Sequence, residues 1–472
     1  MRVLYATSEA YPFAMSGGLA DVSGALPKAL RRRLVGCRVI MPLYEDIPEE
    51  LRVNMNFITS ITVPVSWRRQ YCGLFEARYN GIVYYFLDNQ YYFKRKGLYG
   101  HYDDAERFAF FSRAVLEIIP YLDYTPDIIH CNDWQTSLVP VYLNMFYRQD
   151  QRYKDIKTVF TIHNIQYQGK YGYELIGDVL GIPDEKAGIV IYDNCVNLMK
   201  GAIQCADKIT TVSPTYAKEI LDPYYSHGLD RILKEFEFKL CGIVNGIDSV
   251  VYDPATDKAL FENFSAEDFS KKAINKAELQ KLMGLPENKN VAIIGMVTRL
   301  VKHKGLDLVK CAFENLLQKD VQFVILGSGE WEYETFFYEM SQKHPEKVAL
   351  KLGFIPDLAR KIYAGADIFL MPSQSEPCGL AQMIALRYGT IPVVRQTGGL
   401  NDTIKDSGDG KGNGFTFGDY NPVDMENAVN RAIMGYENKD GWNVLVKRAM
   451  DCDNSWNISA GAYIGLYKEI VR

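Results

Sequence analysis

The 472-residue sequence has nine cysteines but no C-x-x-C pair; they stand scattered at Cys37, Cys72, Cys131, Cys195, Cys205, Cys241, Cys311, Cys378 and Cys452. An odd, unpatterned set reads as reduced thiols in a cytoplasmic protein. No apolar run reaches about 18 residues, so no segment is expected to span a membrane. There is no basic excess. With 53 Lys and Arg against 58 Asp and Glu the net charge is −5, which argues against a nucleic-acid partner. None of the six His pairs with another at a ligand spacing, so no metal centre is expected. The hydrolase elbow G-x-S-x-G and the phosphate loop G-x-x-x-x-G-K are both missing. So is a clean G-x-G-x-x-G, which weakens a dinucleotide oxidoreductase reading.

What is present is ordinary for a globular enzyme: 47% hydrophobic and 24% charged residues. The chain is too long for one core, so two domains are expected. Tyrosine is abundant, with 32 residues. It suits stacking on sugars or bases, and equally suits core packing.

Strand–loop–helix units repeat along the first half. Val3–Ala6 reads as a first strand rather than a signal peptide, followed by a helix from about Asp21 to Arg33. Strands are expected at 37–41, 61–65, 71–79, 82–87, 128–130, 158–162 and 208–212, and a helix over 105–120. A polar segment, 253–290, carries at most weak helices. A second series then begins, with strands at 291–297, 321–326, 348–352, 368–371 and 391–394. Such repeats point to parallel sheets with helices on both faces. The tail places Trp456, Ala460, Tyr463, Tyr467 and Ile470 on one helical stripe.

In parallel sheets ligands gather at the carboxyl ends of the strands. The stretch Met371–Asp402 brings three chemical tools there. Glu376 is a carboxylate on the loop after one strand. Helix-start N–H groups favour anions. Thr397-Gly398-Gly399-Leu400 turns the chain after the next strand and lets a ligand approach the backbone. Ser16-Gly17-Gly18-Leu19 echoes that turn in the first half. Arg299 and Lys304 follow the strand 291–297, and two cations beside a glycine turn suit a diphosphate. His163 and Asp133 close two other strands. Each is either a sugar-hydroxyl ligand or a structural residue, the His bonded to backbone and the Asp a helix cap.

Together these residues resemble the bacterial glycogen synthases and plant starch synthases of glycosyltransferase family 5. The matching segments are SGGLADVSGALPKAL (16–30), YDDAERFAFFSRA (102–114), HCNDWQTSLVP (130–140), TIHNIQYQG (161–169), TTVSPTYAKEI (210–220), GIVNGID (242–248), TRLVKHKGLDLV (298–309) and SEPCGLAQMIALRYGTIPVVRQTGGLNDT (375–403), with the Trp456 tail. They run in family order over essentially the whole chain.

The resemblance implies an α/β fold of two Rossmann-like domains facing across a cleft, the GT-B arrangement. It implies an acceptor-glucan domain over 1–240, with the helix 455–472 packing back on it, and a nucleotide-sugar domain over 241–454. The implied reaction moves glucose from ADP-glucose to the 4-hydroxyl at the non-reducing end of an α-1,4-glucan, with retention, no metal and no cofactor. Arg299 and Lys304 match the cations at the diphosphate, and Glu376 the carboxylate that orients the glucose. Phe354 matches the ring that stacks on adenine; His163 and Asp133 match contacts to glucose. Met15, Gly17, Gly18, Asn164, Asn245, Cys378, Gly379, Leu380, Thr397, Gly398, Gly399 and Leu400 fall at donor-binding positions. Met15 stands where the family usually has a phosphate-contacting lysine. That departure leaves two alternatives open: a UDP-sugar-dependent transferase of the same fold, and a catalytically weak glucan-binding homologue.

Overall fold

In the computed structural model, which describes residues 1–471, the apolar runs of the first half become one nine-stranded sheet. Its strands are β1 (Arg2–Ala6), β2 (Gly36–Pro42), β3 (Asn56–Val65), β4 (Arg68–Tyr79), β5 (Ile82–Asp88), β6 (Ile128–Asn132) and β7 (Lys157–Ile162). A small three-stranded sheet follows, made of β8 (Lys170–Tyr171), β9 (Ile191–Tyr192) and β10 (Cys195–Asn197). The strands β11 (Lys208–Thr211) and β12 (Leu240–Gly242) complete the large sheet in the order β12-β11-β7-β6-β1-β2-β5-β4-β3. Pairing is parallel from β12 to β5 and antiparallel only through β4 and β3. Central strands are buried on both faces, which is why β1, β6 and β7 read as continuous apolar runs rather than alternating ones.

The second series forms a six-stranded, wholly parallel sheet: β13 (Ala292–Val297), β14 (Val321–Gly327), β15 (Val348–Leu352), β16 (Ile368–Met371), β17 (Ile391–Arg395) and β18 (Phe415–Phe417). The order is β15-β14-β13-β16-β17-β18. In each sheet the chain reverses its direction of growth beside the first strand of the series, at β1/β6 and at β13/β16. Loops diverge at such a point and leave a crevice at the carboxyl ends.

Contacts divide the chain into two units, Met1–Asn245 with the segment from Trp456 on, and Gly246–Ser455. The division expected after residue 240 therefore moves to 245. The reason is β12: residues 240–242 hydrogen-bond in parallel to β11 and close the first sheet's edge. The C-terminal helix runs from Trp456 to Ile470, one residue later than expected, because Ser455 still bridges to Ile247 in the second unit. Its stripe of Trp456, Ala460, Tyr463 and Tyr467 is buried against the first unit, where it packs on the helix Gly18–Arg32. Polar pegs fix its register. The Ser459 hydroxyl donates to the Val244 carbonyl at 2.6 Å, and the Tyr467 hydroxyl meets His130 Nδ1 at 2.6 Å.

Candidate active site

The carboxyl pole of the first sheet is built on a chain of buried polar groups. The Asn132 side chain, at the end of β6, donates through Nδ2 to the Ala6 carbonyl at 2.9 Å and to the His130 carbonyl at 3.3 Å. Its Oδ1 is thereby turned toward the Tyr5 hydroxyl and His163 Nε2, both at 2.9 Å. A ring nitrogen facing that oxygen carries the proton, so the neutral imidazole keeps its lone pair on Nδ1. Burial pushes the His163 pKa down to about 3, so the ring stays neutral near pH 7. His163 is thus placed as a hydrogen-bond acceptor rather than as a cation.

Asp133 is not a helix cap. It begins a short 3-10 turn but makes no capping bond, and its φ of +55° aims the carboxylate across to the next strand. There Oδ1 accepts the His163 N–H at 2.7 Å and the Asn164 N–H at 3.4 Å. Burial raises its pKa to about 7; the two N–H groups pull the other way, and the charge on Glu9 adds to the rise. Ser213, by contrast, is a cap: its hydroxyl accepts the Tyr216 N–H.

The glycine turn of the first unit differs from expectation. The helix begins at Gly18, not near Asp21. The Glu9 carboxylate, 4% exposed, accepts the Ser16 N–H at 2.6 Å and the Gly17 N–H at 3.3 Å. The carboxylate thus satisfies the N–H groups of the two residues just before the helix, and Gly17 at the N-cap provides no side-chain cap. Met15 is 54% exposed, and a side chain on Gly17 or Gly18 would meet nothing within 4 Å. Asn245 is buried, and among the described residues its Oδ1 has no partner.

In the second unit, Lys304 and Glu376 come together at 2.6 Å. Three devices do this. Gly305 takes φ +77°, and a Cβ there would lie 2.0 Å from the Pro372 carbonyl oxygen, so only glycine lets the β13 loop lie against the end of β16. The Gln374 N–H donates to the His303 carbonyl at 2.9 Å across the same seam. Ser373, fully buried, places its hydroxyl 3.2 Å from Glu376 Oε2, the oxygen that also meets Lys304. Among the described residues Oε1 has no partner, so one carboxylate oxygen is held and the other is open.

The loop after β17 closes over this group. Gly398 takes φ +43°, and the Gly399 N–H is shared between the Glu376 and Pro377 carbonyls, both at 3.1 Å. That N–H therefore holds the carboxylate's own loop. The turn expected at 397–400 is the start of a short helix, Gly398–Thr403, with buried Thr397 before it and buried Leu400 in its first turn. Cys378 is buried beneath; Gly379, at φ +73°, leads through Leu380 into the helix Ala381–Arg387. Arg299 is exposed and, among the described residues, has no carboxylate partner. Phe354, after β15, is 78% exposed. An unpaired guanidinium and a bare aromatic ring at one sheet edge are the groups a nucleoside diphosphate would use.

Residues 2–235 match the family model described as the starch synthase catalytic domain, and residues 277–443 match that of glycosyl transferases group 1. A glycogen synthase from Bacillus cereus is 51% identical, with all of both chains covered. One from Geobacillus thermodenitrificans is 49% identical over all of this chain and 98% of its own. The chain belongs to the glycogen and starch synthase family. A solved structure of the catalytic domain of starch synthase IV from Arabidopsis thaliana, bound to ADP and acarbose, superposes with a TM-score of 0.91 at 34% identity, covering 100% of this chain and 99% of that one. A sucrose-phosphate synthase from Thermosynechococcus elongatus, 15% identical at a TM-score of 0.62, shares the fold. The two-domain α/β fold is that of GT-B glycosyltransferases.

Sequence reasoning singled out Glu376, Lys304, His163 and Asp133, and the structure pairs the first two with each other and the last two with each other. It overlooked Glu9 and Ser373. Glu9 left a signal: it is the only charged residue between Arg2 and Asp21, and it stands three positions past a buried strand. Ser373 left none, because its role depends on a contact between two loops.

Proposed function

We propose that the protein transfers glucose from ADP-glucose to the non-reducing end of an α-1,4-glucan, with retention of configuration. The observation that carries this reading is the Lys304–Glu376 pair at the carboxyl edge of the second sheet, with Arg299 unpaired beside it. Arg299 and Lys304 would neutralise charge that develops on the leaving diphosphate, the work a divalent ion does elsewhere. Lys304 can do so while still bonded to Glu376. The open Oε1 of Glu376 would accept hydroxyls of the transferred glucose. His163 Nδ1 and Asp133 are further acceptors suited to glucose hydroxyls. Asn245, Asn164, Met15, Gly17 and Gly18 in the first unit, and Cys378 to Leu380 and Thr397 to Leu400 in the second, would be further donor contacts, through groups other than the Gly17 and Gly399 N–H, which the protein itself occupies. An adenine base is supported by exposed Phe354 and by the ADP found in the Arabidopsis relative. No side chain is placed as a nucleophile, which favours a same-face displacement in which a donor phosphate oxygen takes the acceptor proton. A cytoplasmic location accords with the unpaired cysteines; no helix among the described residues is long and apolar enough to cross a membrane.

The experiment is incorporation of labelled glucose into glycogen from ADP-glucose and from UDP-glucose, with EDTA present, for the parent and for Met15→Lys. We expect metal-independent turnover with ADP-glucose preferred. Met15→Lys adds one charge-assisted contact worth about 1.5–3 kcal/mol, so its donor KM should fall at least about tenfold. Preference for UDP-glucose overturns the donor assignment. Glycogen binding without incorporation from either donor makes the protein a glucan-binding homologue.

A further inference from the structure

Glu9 is a buried carboxylate with no cationic partner among the described residues, a costly arrangement unless donors surround it. Here they do. Oε2 accepts the Ser16 N–H at 2.6 Å and the Gly17 N–H at 3.3 Å, and the Ser16 hydroxyl lies 3.0 Å from Oε1 and 3.2 Å from Oε2. The Tyr99 hydroxyl donates to Oε1 at 2.8 Å and is itself held 2.7 Å from Ser8 Oγ. All the donors except Tyr99 come from one loop. Three donors on two consecutive residues leave that loop one way to lie.

The helix behind the loop does not need this device. Leu19, Ala20, Val22, Leu26 and Leu30 bury its inner face, and that packing would hold the helix alone. The carboxylate instead governs the residues before it. It turns the Ser16 and Gly17 N–H groups inward, away from any ligand. What remains outward is Met15, half exposed, and the bare backbone of Gly17 and Gly18, where added side chains would meet empty space. No packing within the protein demands glycine at those two positions, whereas a ligand lying against the backbone would.

We propose that Glu9 is the positioning residue of the Met15–Gly18 loop, holding it in the form that receives the nucleotide sugar. The proposal rests on the transferase reading given above. The loop offers the donor shape rather than charge: its inward N–H groups are spent on Glu9, and residue 15 brings no cation. Donor affinity on this side then depends on how rigidly the loop is held.

The test combines kinetics with amide hydrogen exchange on the full chain, for Glu9→Ala, Glu9→Gln and Tyr99→Phe. In Glu9→Ala we expect the donor KM to rise about tenfold or more, with the glycogen KM within about twofold. The Ser16 and Gly17 amides should exchange about tenfold faster, since their acceptor is gone. Glu9→Gln keeps one oxygen acceptor and should recover most of the donor KM. Tyr99→Phe leaves the carboxylate and removes one of its donors; a rise of about threefold in donor KM is expected, and it serves if Glu9→Ala does not fold. Faster unfolding with unchanged donor KM in Glu9→Ala and Tyr99→Phe would make Glu9 a stability residue only and overturn the proposal. So would unchanged exchange at Ser16 and Gly17. If the parent does not turn over ADP-glucose, the transferase reading fails and the proposal with it; if the parent is active and Glu9→Ala keeps its donor KM, the proposal alone fails.

Discussion

Replacing Gly398 with alanine should disable the carboxylate without touching it. At φ +43° an added Cβ would lie 1.9 Å from the Glu376 carbonyl oxygen and 3.2 Å from that of Pro377. Carbon and oxygen sit no closer than about 3.3 Å in favourable contacts, so the two loops must part by about 1.4 Å. Neither side is a flexible side-chain tip; both are backbone. The Gly399 N–H, shared between the Glu376 and Pro377 carbonyls, couples the displacement to the segment that carries the carboxylate. A misplacement of about 1 Å at a reacting group costs about a hundredfold in rate, so Gly398→Ala should lose at least that much kcat for glucose incorporation. Positive φ adds backbone strain of about 1–2 kcal/mol, which should appear as a modest loss in the urea midpoint. Gly418→Ala is the control: it lies in the same unit, and its Cβ would find only Gln396 Oε1, at 3.8 Å. If Gly398→Ala turns over within about threefold of the parent, the Gly398–Glu376 contact does not set the carboxylate's position.

Glu376→Gln keeps the volume and removes the charge that meets Lys304, so turnover should fall by about a hundredfold or more while the far-ultraviolet spectrum is unchanged; full activity would remove the carboxylate from the mechanism. Stability should also depend on acid in a stated direction. His130 and His163, held near pKa 3 by burial, stay neutral when folded but bind two protons when unfolded below about pH 6.5. Asp133, raised to about 7 by burial, holds one proton when folded that the unfolded chain releases above about pH 4. Between about pH 4 and 6 the unfolded state therefore binds one net proton more, and stability should fall by about 1.4 kcal/mol for each unit of acidification. Urea unfolding at three pH values measures the slope. His163→Gln removes one of the two imidazoles and should flatten it, and a flat parent profile would contradict the burial of these groups.

Much of the candidate site was legible because strand ends are legible. A buried strand in a parallel sheet must be an apolar run, and the polar residue after it must lie at the carboxyl edge; Asp133, His163, Arg299, Lys304 and Glu376 all follow such runs. The boundary between units was less legible, because β12 is three half-exposed residues, Leu240–Gly242, recognisable only by their pairing with β11.

By itself, then, the sequence determined two largely parallel α/β sheets, the order of their strands along the chain and the residues that stand at their ends. These follow from periodicity and local turn chemistry, which act over a few neighbours. Only the tertiary structure decided how those residues are used. Lys304 and Glu376 are 72 positions apart and meet because Gly305 lets two backbones touch. The Gly17 N–H, in a glycine turn that the family resemblance assigns to the donor, is taken by Glu9 at 3.3 Å, since a buried carboxylate must find donors wherever the fold brings them.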